Sequence, residues 1–201
     1  MVGTDLYKDK RVLICGDSFA TDNNNGWSRL LANDYNVLNL AENGVSQYKI
    51  VQQLISVNLL DFDFIIVSHT SPNRVFINNH PVHKKGKTHK NSDLIFTDIE
   101  YHLEKMPTDP VLLAAKQYFR YIYDQDYQEY IYKLMQENIL SLLQNTKSLH
   151  LLTLYDNNVY LFSNYINVFK DFTVQPHNIN HLSNQDNERL YKMACEWINN
   201  S

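Results

Sequence analysis

Three short apolar runs, spaced by stretches of helical period, constrain this chain most. Arg11 to Cys15, Asn36 to Leu40 and Phe62 to Val67 are five or six residues long and rich in Val, Ile, Leu and Phe. They are too short for buried helices and read as strands. Each is stopped by turn chemistry: Gly16-Asp17-Ser18, Ala41-Glu42-Asn43-Gly44 and Ser68-His69-Thr70-Ser71-Pro72. Between them, Trp27, Leu30 and Leu31, then Ile50, Val51, Leu54 and Ile55, recur at helical spacing. Ser46 is the expected N-cap of the second helix. Strands apolar on both faces, alternating with amphipathic helices, imply βαβ units and a parallel sheet in an α/β fold.

The later chain extends the pattern. Leu149 to Leu154 reads as a fourth strand, Val159 to Phe169 as a short helix and Phe172 to Val174 as a fifth short strand. Thr108 as N-cap and Pro110 as an early-helix proline open helical sequence that runs to about Asn145. That stretch carries Tyr118, Tyr121, Tyr123, Tyr127, Tyr130 and Tyr132, expected to serve core and subunit interface. The final helix has the clearest boundary, with Ser183 as cap, Asp186 completing an S-x-x-D box, and Leu190, Met193, Ala194, Trp197 and Ile198 on one face. With 201 residues, a single domain over 1–201 is expected, interrupted by an irregular insert at about 76–110. The insert holds a basic patch between His80 and Lys90, with His83 and His89 and no acid. It reads as a solvated loop, or as a lid that attracts an anionic substrate.

Net charge is −4, which argues against nucleic acid as the main partner. No run approaches the length of a membrane span, and the apolar stretch near the N-terminus is too short for a signal peptide. The two cysteines, Cys15 and Cys195, sit in apolar settings and read as free thiols. A cytoplasmic protein is expected. No metal is expected: CxxC and HExxH spacings are absent, and the three His of the basic patch fit no known metal site. No cofactor is expected either.

Ligands of open α/β sheets bind outside the carboxyl ends of the strands. Ser18 stands there, at the turn after the first strand, and His181 precedes the last helix. A serine needs a base within reach to attack a carbonyl, and backbone amides at such a turn can hold the oxyanion. These residues carry a resemblance. The chain resembles the GDSL, or SGNH, hydrolase family, in block order over all but roughly residues 76–110. Val12-Leu13-Ile14-Cys15 followed by Gly16-Asp17-Ser18 is similar to the first block, whose Ser is the nucleophile. Gly44 matches the single-glycine second block, and His181 resembles the final-block base.

The resemblance implies a three-layer α/β/α fold with a parallel, flavodoxin-like sheet of about five strands. It implies Ser18, His181 and Asn178 as catalytic residues, with Ser18, Gly44 and Asn73 forming the oxyanion hole. Asn178 stands where the family usually has Asp, and His69-Thr-Ser-Pro-Asn-Arg74 stands where it has Gly-x-Asn-Asp; Thr70 and Ser71 rival Asn73 as donors. Asp17, His69, Thr70 and Arg74 are expected near substrate, with Arg74 suited to an acidic group; Asp17 also reads as a structural acceptor for the turn. The function so implied is a serine esterase acting on a small O-acyl ester, such as an O-acetylated sugar. Two rivals stand beside it: an acyltransferase to a glycan or metabolite, and a non-catalytic binding protein on the same fold.

Overall fold

The aliphatic runs pair side by side in one parallel sheet. In the computed structural model the described residues are 8–22, 25–80, 82–83, 90–152, 161–172, 174–175 and 181–201. The main elements are β1 (Arg11–Gly16), α1 (Trp27–Asp34), β2 (Asn36–Asn39), α2 (Gln47–Ile55), β3 (Phe64–Ser68), α3 (Phe96–Lys105), α4 (Pro110–Tyr121), α5 (Gln125–Leu143), β4 (Ser148–Leu152), β5 (Tyr165–Asn167), α6 (Val168–Asp171), β6 (Val174–Gln175), β7 (His181–Leu182) and α7 (Asn184–Asn200). Five strands form the main sheet in the order β2-β1-β3-β4-β5, all parallel. β6 and β7 form a separate antiparallel pair. The fold is a three-layer, flavodoxin-like α/β arrangement. Among the described residues no helix is long and apolar enough to cross a membrane.

Alternation along the strands sorts the core into two halves. Val12, Ile14, Phe64, Ile66, Leu149 and Leu151 face Trp27 and Leu31 of α1 and Leu190, Ala194 and Ile198 of α7. Leu13, Cys15, Ile65 and Val67 face Ile50, Val51 and Leu54 of α2 and Ile139 and Leu143 of α5. Burial pushes the Cys15 thiol well above its usual value, so it packs as a small apolar group.

Several sequence expectations shift. The helix expected over Val159–Phe169 is instead, where described, the edge strand β5 running into the single turn α6. Of the strand expected at Phe172–Val174, Val174 opens β6, outside the main sheet, while Phe172 is the C-cap of α6. The insert is not wholly irregular: it contains α3, which packs on α4 through Ile99, Leu103, Leu112 and Ala115 as a third, separate apolar cluster. The N-cap of α4 is Asp109 rather than Thr108, with Oδ1 accepting the N–H groups of Val111 and Leu112 at 2.9 Å each. Ser46 holds the N-cap position of α2 but its hydroxyl makes no cap bond. Only Tyr132 of the tyrosine-rich stretch is buried in the core, while Tyr121, Tyr127 and Tyr130 are exposed. Ser183 caps α7 as read, accepting the Asp186 N–H at 3.1 Å.

Gly16 has no room for a side chain. A Cβ there would stand 2.6 Å from Ser68 Cβ and 2.9 Å from the Ser68 carbonyl oxygen, because Gly16 and Ser68 are register partners in adjacent strands. Gly16→Ala must push β1 from β3 and is expected to cost about 1–3 kcal/mol, read as a lower urea midpoint with unchanged m-value.

Candidate functional site

The strand ends gather at one edge of the sheet. β1 closes on Gly16, whose N–H donates to Gln53 Oε1 at 2.7 Å and whose carbonyl accepts from Gln53 Nε2 at 3.1 Å. The amide of α2 thus fixes the residue from which the Ser18 turn departs. Ser18 is partly exposed and lines a small cleft of about 160 Å³ with Phe19, Thr21, Gly26, Leu182 and Asn184. The cleft brings the first turn against the residues that directly follow His181. The His181 side chain and Asn178 lie outside the described residues, as do positions 84–89 of the basic patch.

Asp17 points inward. Its carboxylate is buried and accepts the Phe19 N–H at 3.1 Å and the Thr70 hydroxyl at 3.0 Å. Arg74 pairs with it at 3.1 Å and also donates to the Val45 carbonyl at 2.8 Å. His69 and Thr70 are fully buried. The geometry gives Asp17 the structural-acceptor role also read for it, and with Thr70 and Arg74 it ties the ends of β1 and β3 to the approach to α2.

Gly44 has φ +73°, a left-handed conformation that a side chain would strain, and a Cβ there would also strike Ser92 Oγ at 2.5 Å. Its carbonyl accepts the Asp93 N–H at 2.9 Å. Asn73 is exposed and its Oδ1 accepts the Tyr123 hydroxyl at 2.8 Å. With Ser71 it lines a larger cavity of about 690 Å³, walled by Phe96, Phe119, Lys116 and Arg120. Ser18 and Asn73 thus open on different cavities.

A chain of buried imidazoles, absent from the sequence reading, runs behind this edge. Gln47 Oε1 accepts the Thr70 N–H at 3.2 Å, so its Nε2 donates to His69 Nδ1 at 2.8 Å. His69 Nε2 then donates to His150 Nδ1 at 2.9 Å, and His150 Nε2 to Ser148 Oγ at 3.2 Å. Each ring is neutral with its proton on Nε2. Phe162 stacks on His150 at 3.8 Å between ring centres. The two histidines are 81 residues apart, and no local pattern announces the pairing.

Comparison with family models, curated proteins and solved structures gave no match to this chain.

The site yields two expectations. Burial lowers His150 to about 3, and burial with the neighbouring His150 holds His69 well below its ordinary 6.5. Both rings take up protons more readily unfolded than folded, so their contribution is intact above about pH 7 and falls as pH drops through 6.5. Between pH 7 and 5 the His150 ring should cost about 2 kcal/mol, and His69 acts in the same direction. Urea unfolding at the two pH values should show this loss, and His150→Asn should make the dependence shallower. Separately, Asp17→Ala leaves the largely covered Arg74 guanidinium without its carboxylate, with the Val45 carbonyl as its remaining contact, and should cost about 3–5 kcal/mol. Adding Arg74→Met should return part of that loss, measured by the same unfolding experiment.

Proposed function

We propose that the protein is a serine-dependent ester hydrolase acting on a small O-acyl ester through an acyl-enzyme. The observation that carries this reading is the shared cleft of Ser18 with Leu182 and Asn184, at the carboxyl end of a central strand. That is where ligands of parallel α/β sheets bind, and it is the edge at which a serine and a helix-flanking histidine can meet. The resemblance to GDSL hydrolases in Gly16-Asp17-Ser18, Gly44 and His181 supports it independently.

The chemistry follows from those groups. Ser18 Oγ attacks the ester carbonyl carbon while its proton passes to His181. The oxyanion that forms is held by backbone N–H groups of the Ser18 turn and Gly44. Collapse breaks the ester C–O bond, and the proton on His181 goes to the leaving alcohol. Water then attacks the acyl-Ser18 carbonyl, giving its proton to His181, and the acid leaves as Ser18 recovers its proton. An asparagine such as Asn178 in place of a carboxylate can orient an imidazole through its amide oxygen but stabilises imidazolium less than an aspartate would.

One observation favours a second reading, a binding protein on the same fold: the 690 Å³ cavity opens at Asn73 rather than at Ser18. Labelling separates the two. The hydrolase reading expects a fluorophosphonate probe to modify folded wild-type protein at Ser18, Ser18→Ala to abolish labelling, and hydrolysis of short p-nitrophenyl esters to fall by at least about 1,000-fold with it. Unlabelled, well-folded wild-type protein would favour the binding reading.

A further inference from the structure

Asp98, in the first turn of α3, is surrounded by imidazoles. His83 Nε2 stands 3.1 Å and His80 Nε2 3.6 Å from its Oδ2, while His102 Nε2 stands 3.2 Å from its Oδ1. We propose that His80, His83 and Asp98 bind a divalent transition-metal ion of the zinc class, with His102 holding the carboxylate in place. The proposal is independent of the ester-hydrolase reading.

Three features carry it. The first is geometry: one ligand atom from each of His80, His83 and Asp98 can be chosen so that all lie within 4.8 Å of one another. Bonds of about 2.0–2.1 Å to a tetrahedral ion set neighbouring donors roughly 3.3–3.4 Å apart, and the His80 and His83 distances to Asp98 bracket that value. The second is an orphan: His80 Nε2 is buried, faces the carboxylate and has no hydrogen-bond partner. A buried polar atom left so is costly unless something else satisfies it. The third is support from behind: His102, one helical turn from Asp98, stands 3.2 Å from the carboxylate oxygen that the other two rings leave, which is where outer groups that aim a metal ligand sit. The donor set, two imidazoles and a carboxylate, suits a first-row divalent ion and leaves a position for water.

Loading has a structural consequence. His80 Nδ1 accepts the N–H groups of Val82 and His83, both at 3.2 Å, which leaves the ring proton on Nε2. A metal at Nε2 moves that proton to Nδ1, and the two N–H groups must turn away. The ion therefore reorients the Val82 and His83 backbone while stapling His80 and His83 to α3. Because Phe96, Thr97 and Glu100 of α3 line the 690 Å³ cavity, the staple would stiffen one wall of it.

The test uses full-length, tag-free protein stripped with EDTA and titrated with Zn²⁺ by calorimetry, with Co²⁺ as a spectroscopic probe. The expected result is one equivalent of Zn²⁺, a tetrahedral Co²⁺ spectrum, and shifted amide signals at Val82 and His83. His83→Ala and Asp98→Ala should each lose at least about 100-fold in affinity, and His102→Ala about 10–100-fold, all with far-UV spectra like wild type. His83→Gln serves if the alanine variant misfolds. Wild-type protein that takes up no stoichiometric Zn²⁺, or uptake that survives intact in both the His83 and Asp98 variants, overturns the proposal.

Discussion

A carboxylate that is almost wholly removed from water must collect donors from its surroundings, and Asp17 collects them from distant parts of the chain. The Phe19 N–H belongs to the first turn, the Thr70 hydroxyl to the end of β3, and the Arg74 guanidinium to the loop beyond it. Arg74 in turn holds the Val45 carbonyl ahead of α2. One buried ion pair therefore fixes the relative positions of the turns that carry Ser18, Gly44 and Asn73. Such a pair adds little net stability over an apolar substitute, because its attraction is spent against desolvation. Its effect is to make one arrangement of the strand ends far better than any other.

A second set of polar contacts ties α2 to the same edge. Gln53 bonds both backbone groups of Gly16, and Gln47 links the Thr70 N–H to the His69 ring. Neutral amides suit this work because each offers a donor and an acceptor at once. Beneath them the apolar faces of β1 and β3 are divided strictly by alternation, so α2 cannot shift along the sheet without unpacking Ile50 and Leu54 from Leu13 and Ile65. Apolar register sets where the helix lies, and its amides then read that position onto the strand ends.

Much of this was legible locally. β1 and β3 announce themselves because runs buried on both faces are continuously apolar, and Gly16 marks the turn because Ser68 leaves it no Cβ. α3 was hidden: its N-cap is Ile95, which offers no side-chain acceptor, and its buried face is only Ile99 and Leu103. β5 was misread because three residues, Tyr165 to Asn167, become a strand only by pairing with β4, and the apolar residues of α6 follow at once. At the site, the Asp17-to-Phe19 bond is a turn feature visible in sequence, whereas Thr70 and Arg74 meet Asp17, and His69 meets His150, only through the fold. Contacts across long sequence separation leave no periodic trace.

The insert obeys the same physics as the sheet edge. Asp93 is fully buried, pairs with Lys49 of α2 at 2.7 Å, and accepts the N–H groups of Ser46 at 2.7 Å and Ile77 at 2.9 Å. It does for Ile77, Ser46 and Lys49 what Asp17 does for the strand ends. Beyond it, α3 and α4 close on their own apolar cluster, distinct from both halves of the main core. Between the insert and the rest of the fold stand directional contacts, the Asp93 bonds to Ser46 and Lys49 and the Tyr123 hydroxyl on Asn73, beside the edge-on packing of Tyr48 of α2 against Phe76. Directional contacts specify an angle but tolerate exchange with water, whereas a shared apolar core does not. Charge and hydrogen bonding therefore share with the Tyr48–Phe76 contact the work of orienting the large cavity relative to the Ser18 edge.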